Sequence, residues 1–365
     1  MSQKIVFFYP SLENGGVTKN LVNIFEGCPY KNLELHLISS DNPITKKTLC
    51  KYYFHTVKLK YNFFFLPGRF NSSINAMILL HQLLKKFGKN TIVHSMQSNI
   101  AAILVCLFSK NKIIIRNSED PISSTIYSEN LFFSFFVFLL KIIFYNFSDK
   151  AITNSLGSKK SLGFFFYDKK KIKTIYNPYL KTINIKKYKK NNTIVNIARL
   201  RKQKDHESLI RAFKIFNEYY NNYKLIIIGH GNLEEKLKHL VSSLNLKNKV
   251  IFTGWVKNPR SYLKKSKLFV LSSLYEGLGN VLIDAINYDT PCIATNCRSG
   301  PKEILKEGKG GYLVPVKDYV SLSKTMIYAV KNYQLSKNKN NFAKKYLRRF
   351  DMKNNIKLYF NFLLK

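Results

Sequence analysis

Carboxylates are scarce in this chain. Its 365 residues carry 21 Asp and Glu against 60 Lys and Arg, a formal charge of +39. There is one Trp, and the five cysteines (Cys28, Cys50, Cys106, Cys292 and Cys297) form no CxxC pair. Cys292 and Cys297 have no His at ligand spacing, so a zinc site is excluded and reduced, cytosolic thiols are expected. The N-terminal stretch Met1–Pro10 holds an apolar run of strand length only and lacks the longer apolar core of a signal peptide. No G-x-G-x-x-G is present, which removes the dinucleotide fingerprint.

What is present excludes disorder. A hydrophobic fraction of 45% with 14% aromatics is too rich for a disordered polycation. The length suits two domains of ordinary size. So basic a surface favours polyanions: nucleic acid, anionic lipid or phosphate-bearing small molecules. An AT-rich gene is a second source of the Lys-, Asn-, Ile- and Phe-rich composition, and charge alone does not choose.

Short apolar runs alternate with helical patterns throughout. Ile5–Tyr9, Leu33–Ser39, Thr91–His94, Lys112–Arg116 and Lys150–Thr153 read as strands of a first half. Thr193–Ala198, Lys224–Gly229, Val250–Thr253, Leu268–Leu271 and Pro291–Ala294 read as strands of a second. That alternation predicts two α/β domains with doubly wound parallel sheets. The break falls at residues 181–192, a basic stretch with no buried face. The expected divisions are a domain over 1–180, that linker, a domain over 193–345, and a C-terminal helix over 346–365 packing back toward the first domain.

Leu131–Phe147 is nearly all apolar. It is shorter than the ~20 residues that span a bilayer, and Lys141 interrupts it. Ser134, Lys141, Tyr145 and Ser148 share one helical stripe and leave a wide apolar face. Two readings stand: a buried core helix, or a helix lying in the membrane interface. The aromatic and basic loop Lys58–Arg69 has the same character.

Glycines and charges then point to a site. Gly15 and Gly16, in Glu13-Asn-Gly-Gly, follow the first strand and precede a helix over Val17–Phe25. A loop there brings backbone N–H groups to a phosphate or sugar, or serves a tight turn only. Arg199 ends the strand Thr193–Ala198 and Lys204 enters the next helix. A planar fork and a point charge at the carboxyl edge of a parallel strand suit a diphosphate. After Leu268–Leu271 comes Ser273-Leu-Tyr-Glu-Gly-Leu-Gly-Asn-Val-Leu-Ile-Asp-Ala285, whose glycines expose loop N–H groups ahead of a helix beginning near Asn280. Glu276 and Asp284 stand eight apart around that helix start, one placed for sugar hydroxyls and the other for a ribose.

At these residues the chain resembles family 4 of the retaining glycosyltransferases. Glu276 and Asp284 resemble its E-x7-E pattern. Val250-Ile-Phe-Thr-Gly-Trp255, Leu225-Ile-Ile-Ile-Gly-His-Gly231, Thr290-Pro-Cys-Ile-Ala-Thr295, Ser299-Gly-Pro-Lys-Glu-Ile304, Gly310-Gly-Tyr-Leu-Val314 and Tyr176-Asn-Pro178 are similar to other family segments. They occur in the expected order over roughly residues 175–320, whereas residues 1–160 resemble the family loosely.

The resemblance implies the GT-B fold, two Rossmann-like domains facing a central cleft. It implies transfer of a hexosyl or N-acetylhexosaminyl group from a nucleotide diphosphate sugar, UDP-linked, with retained anomeric configuration. By it Arg199 and Lys204 bind the diphosphate without metal, in line with the missing Asp-x-Asp of the other main glycosyltransferase fold. Glu276 holds the donor sugar and Asp284 the ribose. Gly277, Leu278, Gly279, Asn280 and Val281 line sugar and phosphates. Gly229 and Gly231 lie in the donor turn, and Gly254, Trp255 and Val256 face the base. Gly15, Gly16, His94, Arg116 and Asn117 are the acceptor-side candidates.

The second acid of the pattern is usually Glu rather than Asp, Tyr288-Asp289 replaces Cys-Gly, and the family's H-x-H is here His94 followed by Met96. A strand-end structural role for His94 therefore stands beside an acceptor role. The implied acceptor is a lipid-linked oligosaccharide at the cytosolic face of a bacterial membrane, in O-antigen or capsule synthesis. The implied partners are the donor, that acceptor and an anionic membrane surface. Another GT-B nucleotide-sugar enzyme, an epimerase or hydrolase, is the alternative. A nucleic-acid-binding protein is the remaining one, but Lys159–Lys173 mixes Phe and Lys without an RRM, KH or helix-turn-helix pattern.

Overall fold

A computed structural model describes residues 2–12, 15–58, 61 and 68–365. The loop at 58–69 therefore lies largely outside the described residues, as do Glu13 and Asn14 beside Gly15. The chain divides into two units, one of Met1–Thr125, Asn130–Lys181 and Phe350–Lys365, the other of Ile126–Glu129 and Thr182–Arg349.

In the first unit the order is β1 (Gln3–Phe8), α1 (Gly16–Glu26), β2 (Leu33–Ser39), β3 (Lys51–Thr56), α2 (Gly68–Phe87), β4 (Ile92–Ser95), α3 (Asn99–Ser109), β5 (Ile113–Asn117), α4 (Pro121–Ile126), α5 (Leu131–Phe144), β6 (Lys150–Thr153), α6 (Leu156–Leu162) and β7 (Ile172–Thr174). Among the described residues the strands form one parallel sheet in the order β3-β2-β1-β4-β5-β6-β7. Successive side chains of a strand point to opposite faces, and both faces of a parallel sheet are covered. β1 shows this directly. Ile5 and Phe7 join a core with Leu21, Ile24 and Phe25 of α1, whereas Val6 and Phe8 join another with Ala76 and Leu80 of α2 and Ile103 of α3.

In the second unit β8 (Asn191–Ile197), α7 (His206–Tyr219), β9 (Lys224–Ile228), α8 (Glu234–Ser243), β10 (Val250–Phe252), α9 (Arg260–Lys265), β11 (Ser266–Leu271), α10 (Asn280–Asn287), β12 (Cys292–Thr295), α11 (Pro301–Ile304), β13 (Tyr312–Val314), α12 (Tyr319–Lys331) and α13 (Tyr333–Lys344) follow in turn. Their sheet is again parallel, ordered β10-β9-β8-β11-β12-β13. The chain then returns to the first unit as α14 (Met352–Leu364), where Ile356, Tyr359, Phe360 and Leu363 enter the core beneath β1 and α1.

Three local findings differ from the sequence reading. Leu131–Phe147 is not a core helix: α5 has no buried residue. Its Lys141 lies on the inner side, where burial lowers the ammonium pKa against the opposing pull of Glu119. The basic linker has buried anchors. β8 already begins at Asn191, and the Lys190 ammonium donates to the carbonyls of Leu263 and Tyr288 and to Thr290 Oγ1 at 2.9–3.1 Å. Burial brings its pKa down to about 8.

Candidate active site

The order β10-β9-β8-β11-β12-β13 reverses direction between β8 and β11, and ligands of open α/β sheets bind beyond the strand carboxyl ends at such a reversal. The loops following these two strands carry Arg199, Lys204 and Glu276. Ser272 Oγ donates to the Lys204 carbonyl at 2.8 Å, Leu274 N–H to the Gln203 carbonyl at 2.8 Å, and the Gln203 amide to the Tyr275 carbonyl at 2.9 Å. These backbone ties fix the two loops at the reversal as one piece.

On that piece the Lys204 ammonium donates to Glu276 Oε1 at 2.6 Å, and Ser273 Oγ to the same oxygen at 2.7 Å. Glu276 is only 7% exposed. Ser299 Oγ donates to its backbone carbonyl at 2.6 Å. The carboxylate is therefore oriented by two donors on one oxygen and by a third bond to its own backbone, at a place where positive charge can be met by a fixed negative one. Arg199 follows β8 on the same edge and is half-buried. Ser273 and Ser299 were not legible as site residues, because Ser carries no spacing signal.

Asp284 lies inside α10 and is buried, and Arg260 of α9 meets its Oδ1 at 3.5 Å. Arg260 is a third residue that sequence reasoning missed, since nothing in its spacing ties it to Asp284. Gly277 and Leu278 lead into α10, Gly279 caps it in a left-handed conformation, and Asn280 and Val281 open it. Gly300, at φ 86°, approaches so closely that a Cβ would sit 2.4 Å from the Leu278 carbonyl oxygen.

The other glycines part company. At Gly229, with φ 141°, a Cβ would fall 2.0 Å from the Ala198 carbonyl oxygen, and at Gly231 it would fall 2.3 Å from that of Leu200. Both therefore serve the close crossing of the β8 and β9 loops. Gly254, at φ 67°, has nothing within 4 Å of its Cβ position. Its carbonyl accepts from Gly229 N–H at 2.9 Å. Trp255 is 68% exposed beside it and Val256 half-exposed. Ile126–Glu129 also belongs to this unit: Tyr127 stacks on Tyr275, and Ser128 accepts from the Lys202 ammonium.

In the first unit Gly15 and Gly16 are exposed at the start of α1, with Gly15 extended rather than left-handed. Asn117 Nδ2 donates to the Glu119 carbonyl and is thereby folded onto its own loop. His94, counted among the acceptor-side candidates, is fully buried. Its Nδ1–H donates to the Ile114 carbonyl at 3.0 Å, and its Nε2 accepts from the Tyr359 hydroxyl of α14 at 2.5 Å. One nitrogen is spent on β5 and the other on α14, which is the structural role rather than the acceptor one. Arg116 is 1% exposed and lies over the Tyr359 ring. It donates to Asn177 Oδ1 at 2.6 Å and to Ser118 Oγ at 3.3 Å. Among the described residues it has no carboxylate partner, and its Nη1 has no hydrogen-bond acceptor.

Burial lowers the pKa of His94 to about 3, with Arg116 adding to the effect, and that of His206 on α7 likewise to about 3, with Lys204 adding. The first unit thus holds two such imidazoles, His94 and His36, the latter brought down to about 4 by burial with His55 adding, and the second unit holds His206; each stays neutral while the unfolded chain takes up a proton below about pH 6.5. Stability is full above that pH and falls as pH drops through the window toward 3. Between pH 7 and pH 5 the first unit should lose about 4 kcal/mol and the second about 2 kcal/mol. Urea titrations at the two pH values check this, and unchanged midpoints would refute it.

With this geometry established, comparisons place the chain. Residues 181–346 match the family model described as glycosyl transferases group 1. An uncharacterized glycosyltransferase of Methanocaldococcus jannaschii is 36% identical over 245 residues, 61% of this chain and 60% of that protein's length. An N-acetylgalactosamine-N,N'-diacetylbacillosaminyl-diphospho-undecaprenol 4-alpha-N-acetylgalactosaminyltransferase of Campylobacter jejuni is 28% identical over 364 residues, 96% of each chain. Among solved structures, Anabaena HepE in complex with UDP-glucose superposes with TM-score 0.78 at 17% identity over 99% of both chains. TarM of S. aureus does so with TM-score 0.78 at 15% identity, covering 100% of this chain and 99% of its own. The fold is GT-B.

Proposed function

We propose, on the premise that this chain is a GT-B glycosyltransferase whose residues 181–346 belong to group 1, that it moves a sugar from a UDP-sugar to a lipid-linked saccharide. Transfer retains the anomeric configuration, needs no metal, and serves surface polysaccharide assembly from a peripheral position on the inner face of the membrane. The observation that carries this reading is the Lys204–Glu276 contact at the sheet reversal. Arg199 and Lys204 take the diphosphate and stabilise it as the leaving group. Glu276 faces the donor sugar and offsets the positive charge that develops at its reacting carbon. Asp284, positioned by Arg260, takes the ribose, and Gly254–Val256 takes the base. The acceptor hydroxyl attacks from the face the diphosphate leaves and gives it the proton. The Campylobacter relative is named for transfer to a diphospho-undecaprenol acceptor, which supports a lipid diphosphate here.

Calorimetric titration of UDP and UMP tests the phosphate assignment. Lys204→Ala should weaken UDP by about tenfold or more, the scale of one charged hydrogen bond, and leave UMP nearly unchanged. An equal loss for both ligands would remove Lys204 from the diphosphate. A thermal-shift panel of UDP, GDP and ADP sugars identifies the donor, since a ligand stabilises the state it binds. No response to any of them would defeat the proposed activity.

A further inference from the structure

An exposed apolar surface outside the donor site lies on the first unit. α5 is apolar apart from the stripe of Ser134 and Lys141, yet buries no residue. Phe138 and Ile142 rest against the core beneath it. Its outer side is a stripe at helical spacing, Phe132, Phe136, Leu139 and Ile143, with Phe132 88% exposed. Scattered exposed apolar residues are ordinary, but a continuous apolar row is not.

The face continues sideways. α3 packs against α2 and α5, and its Phe108 stands 83% exposed. Phe108 borders an apolar groove of about 460 Å³ between α2 and α3, lined also by Met77, Ile78 and Leu104. Phe133 of α5 meets Phe70 of α2, ring centroids 5.2 Å apart. Lysines predominate on this face, although Glu119 acts on Lys141 of α5 and Asp149 on Cys106 of α3. From residue 42 to residue 118 the sequence contains no Asp or Glu, and neither does α5. Lys85 edges the groove, and Lys85, Lys110, Lys159 and Lys160 are exposed.

We infer that the α2–α3–α5 face docks on an anionic bilayer, with α5 in the plane of the membrane. The inference rests on the lipid-linked acceptor proposed above and assigns the surface that brings the enzyme to it. The apolar stripe sits at the boundary of headgroups and acyl chains, and the lysines lie among the headgroup phosphates. Crossing the bilayer is ruled out by length: the 14 residues of α5 reach about 21 Å against a hydrocarbon core of about 30 Å. Among the described residues no helix is long and apolar enough to span. A second copy is a poor occupant, because a two-fold contact would bring the same lysines together with few carboxylates to answer them.

The test sediments the full chain with vesicles of phosphatidylcholine alone and of phosphatidylcholine with phosphatidylglycerol, at low and high salt. Binding is expected on the anionic vesicles. The double variant Phe132→Ser, Phe136→Ser should lose about tenfold per ring at either salt, the scale of one apolar side chain returned to water. Lys85→Gln with Lys110→Gln should weaken binding to anionic vesicles only and flatten its salt dependence. Both variants should keep the wild-type circular dichroism and UDP affinity. The inference is overturned if wild type ignores anionic vesicles, if the Phe variant binds like wild type, or if the Phe residues prove to hold a dimer in the absence of lipid. Transfer to a short-chain, water-soluble lipid diphosphate saccharide separates the two claims. The Phe variant should retain it, whereas a wild type that binds vesicles but transfers to no acceptor would sink the catalytic reading alone.

Discussion

Glu276→Gln should cut transfer by a factor on the order of 10² to 10³, the range seen when a preorganised charge is withdrawn from a transition state. The amide matches the carboxylate in size and can still accept from Ser273 and Lys204, which now lie at 2.7 and 2.6 Å. What vanishes is the negative charge. That charge also neutralises Lys204, whose side chain is 15% exposed, so the variant should melt somewhat lower. The double variant Glu276→Gln, Lys204→Met removes both charges and separates the two effects. It should recover part of the lost stability and none of the lost turnover. Initial rates of labelled sugar transfer, with thermal melts of the same samples, decide it. Near-wild-type turnover in Glu276→Gln would remove Glu276 from the reaction.

Gly229→Ala should be the most damaging single methyl in the second unit. The new carbon would meet the Ala198 carbonyl oxygen at 2.0 Å, and the backbone already stands at φ 141°. Neither neighbour is a side chain that can swing away. β8 and β9 must part, and with them the loop that carries Arg199. A loss of at least about 3 kcal/mol is expected, lowering the melting temperature by roughly 6–12 °C, together with loss of UDP binding. Gly254→Ala is the internal control. It has φ 67° but nothing within 4 Å, so stability should fall only by about 1–2 kcal/mol of backbone strain. If the two variants melt alike, the close crossing of β8 and β9 is not what demands glycine.

Buried strands wrote themselves clearly into the sequence. Leu33–Ser39 and Lys150–Thr153 coincide with β2 and β6, and the other expected strands lie within two residues of observed ones. The strands that escaped notice, β3, β7 and β13, all lie at sheet edges. β3 is Lys-Tyr-Tyr-Phe-His-Thr with its residues at least half-exposed, and β7 and β13 are three residues long. An edge strand needs little apolar content, so it leaves little pattern to read. The site shows the same division. Glu276 and Lys204 were legible because charges beside glycines at strand ends are unusual. Their fixing by Ser273 and by the Gln203–Tyr275 ties was not, since backbone and hydroxyl bonds depend on which loops meet. The two readings of His94 stayed open in the sequence for a related reason: its partner Tyr359 lies 265 residues away, on α14.

The return of α14 to the first unit also dictates an order of events during synthesis. The first unit breaks off at Lys181 and resumes only at Phe350, and the residues between supply nearly all of the second unit. At ribosomal rates of about 5–20 residues per second, α14 is translated roughly 10–30 s after the rest of its core. Through that interval Leu21, Ile24 and Phe25 of α1 wait beside an open slot that Tyr359, Phe360 and Leu363 later fill. The domain translated second is thus the one able to finish folding first. A released chain lacking residues 352–365 would present a completed second unit and, in the first, an unfilled apolar seam.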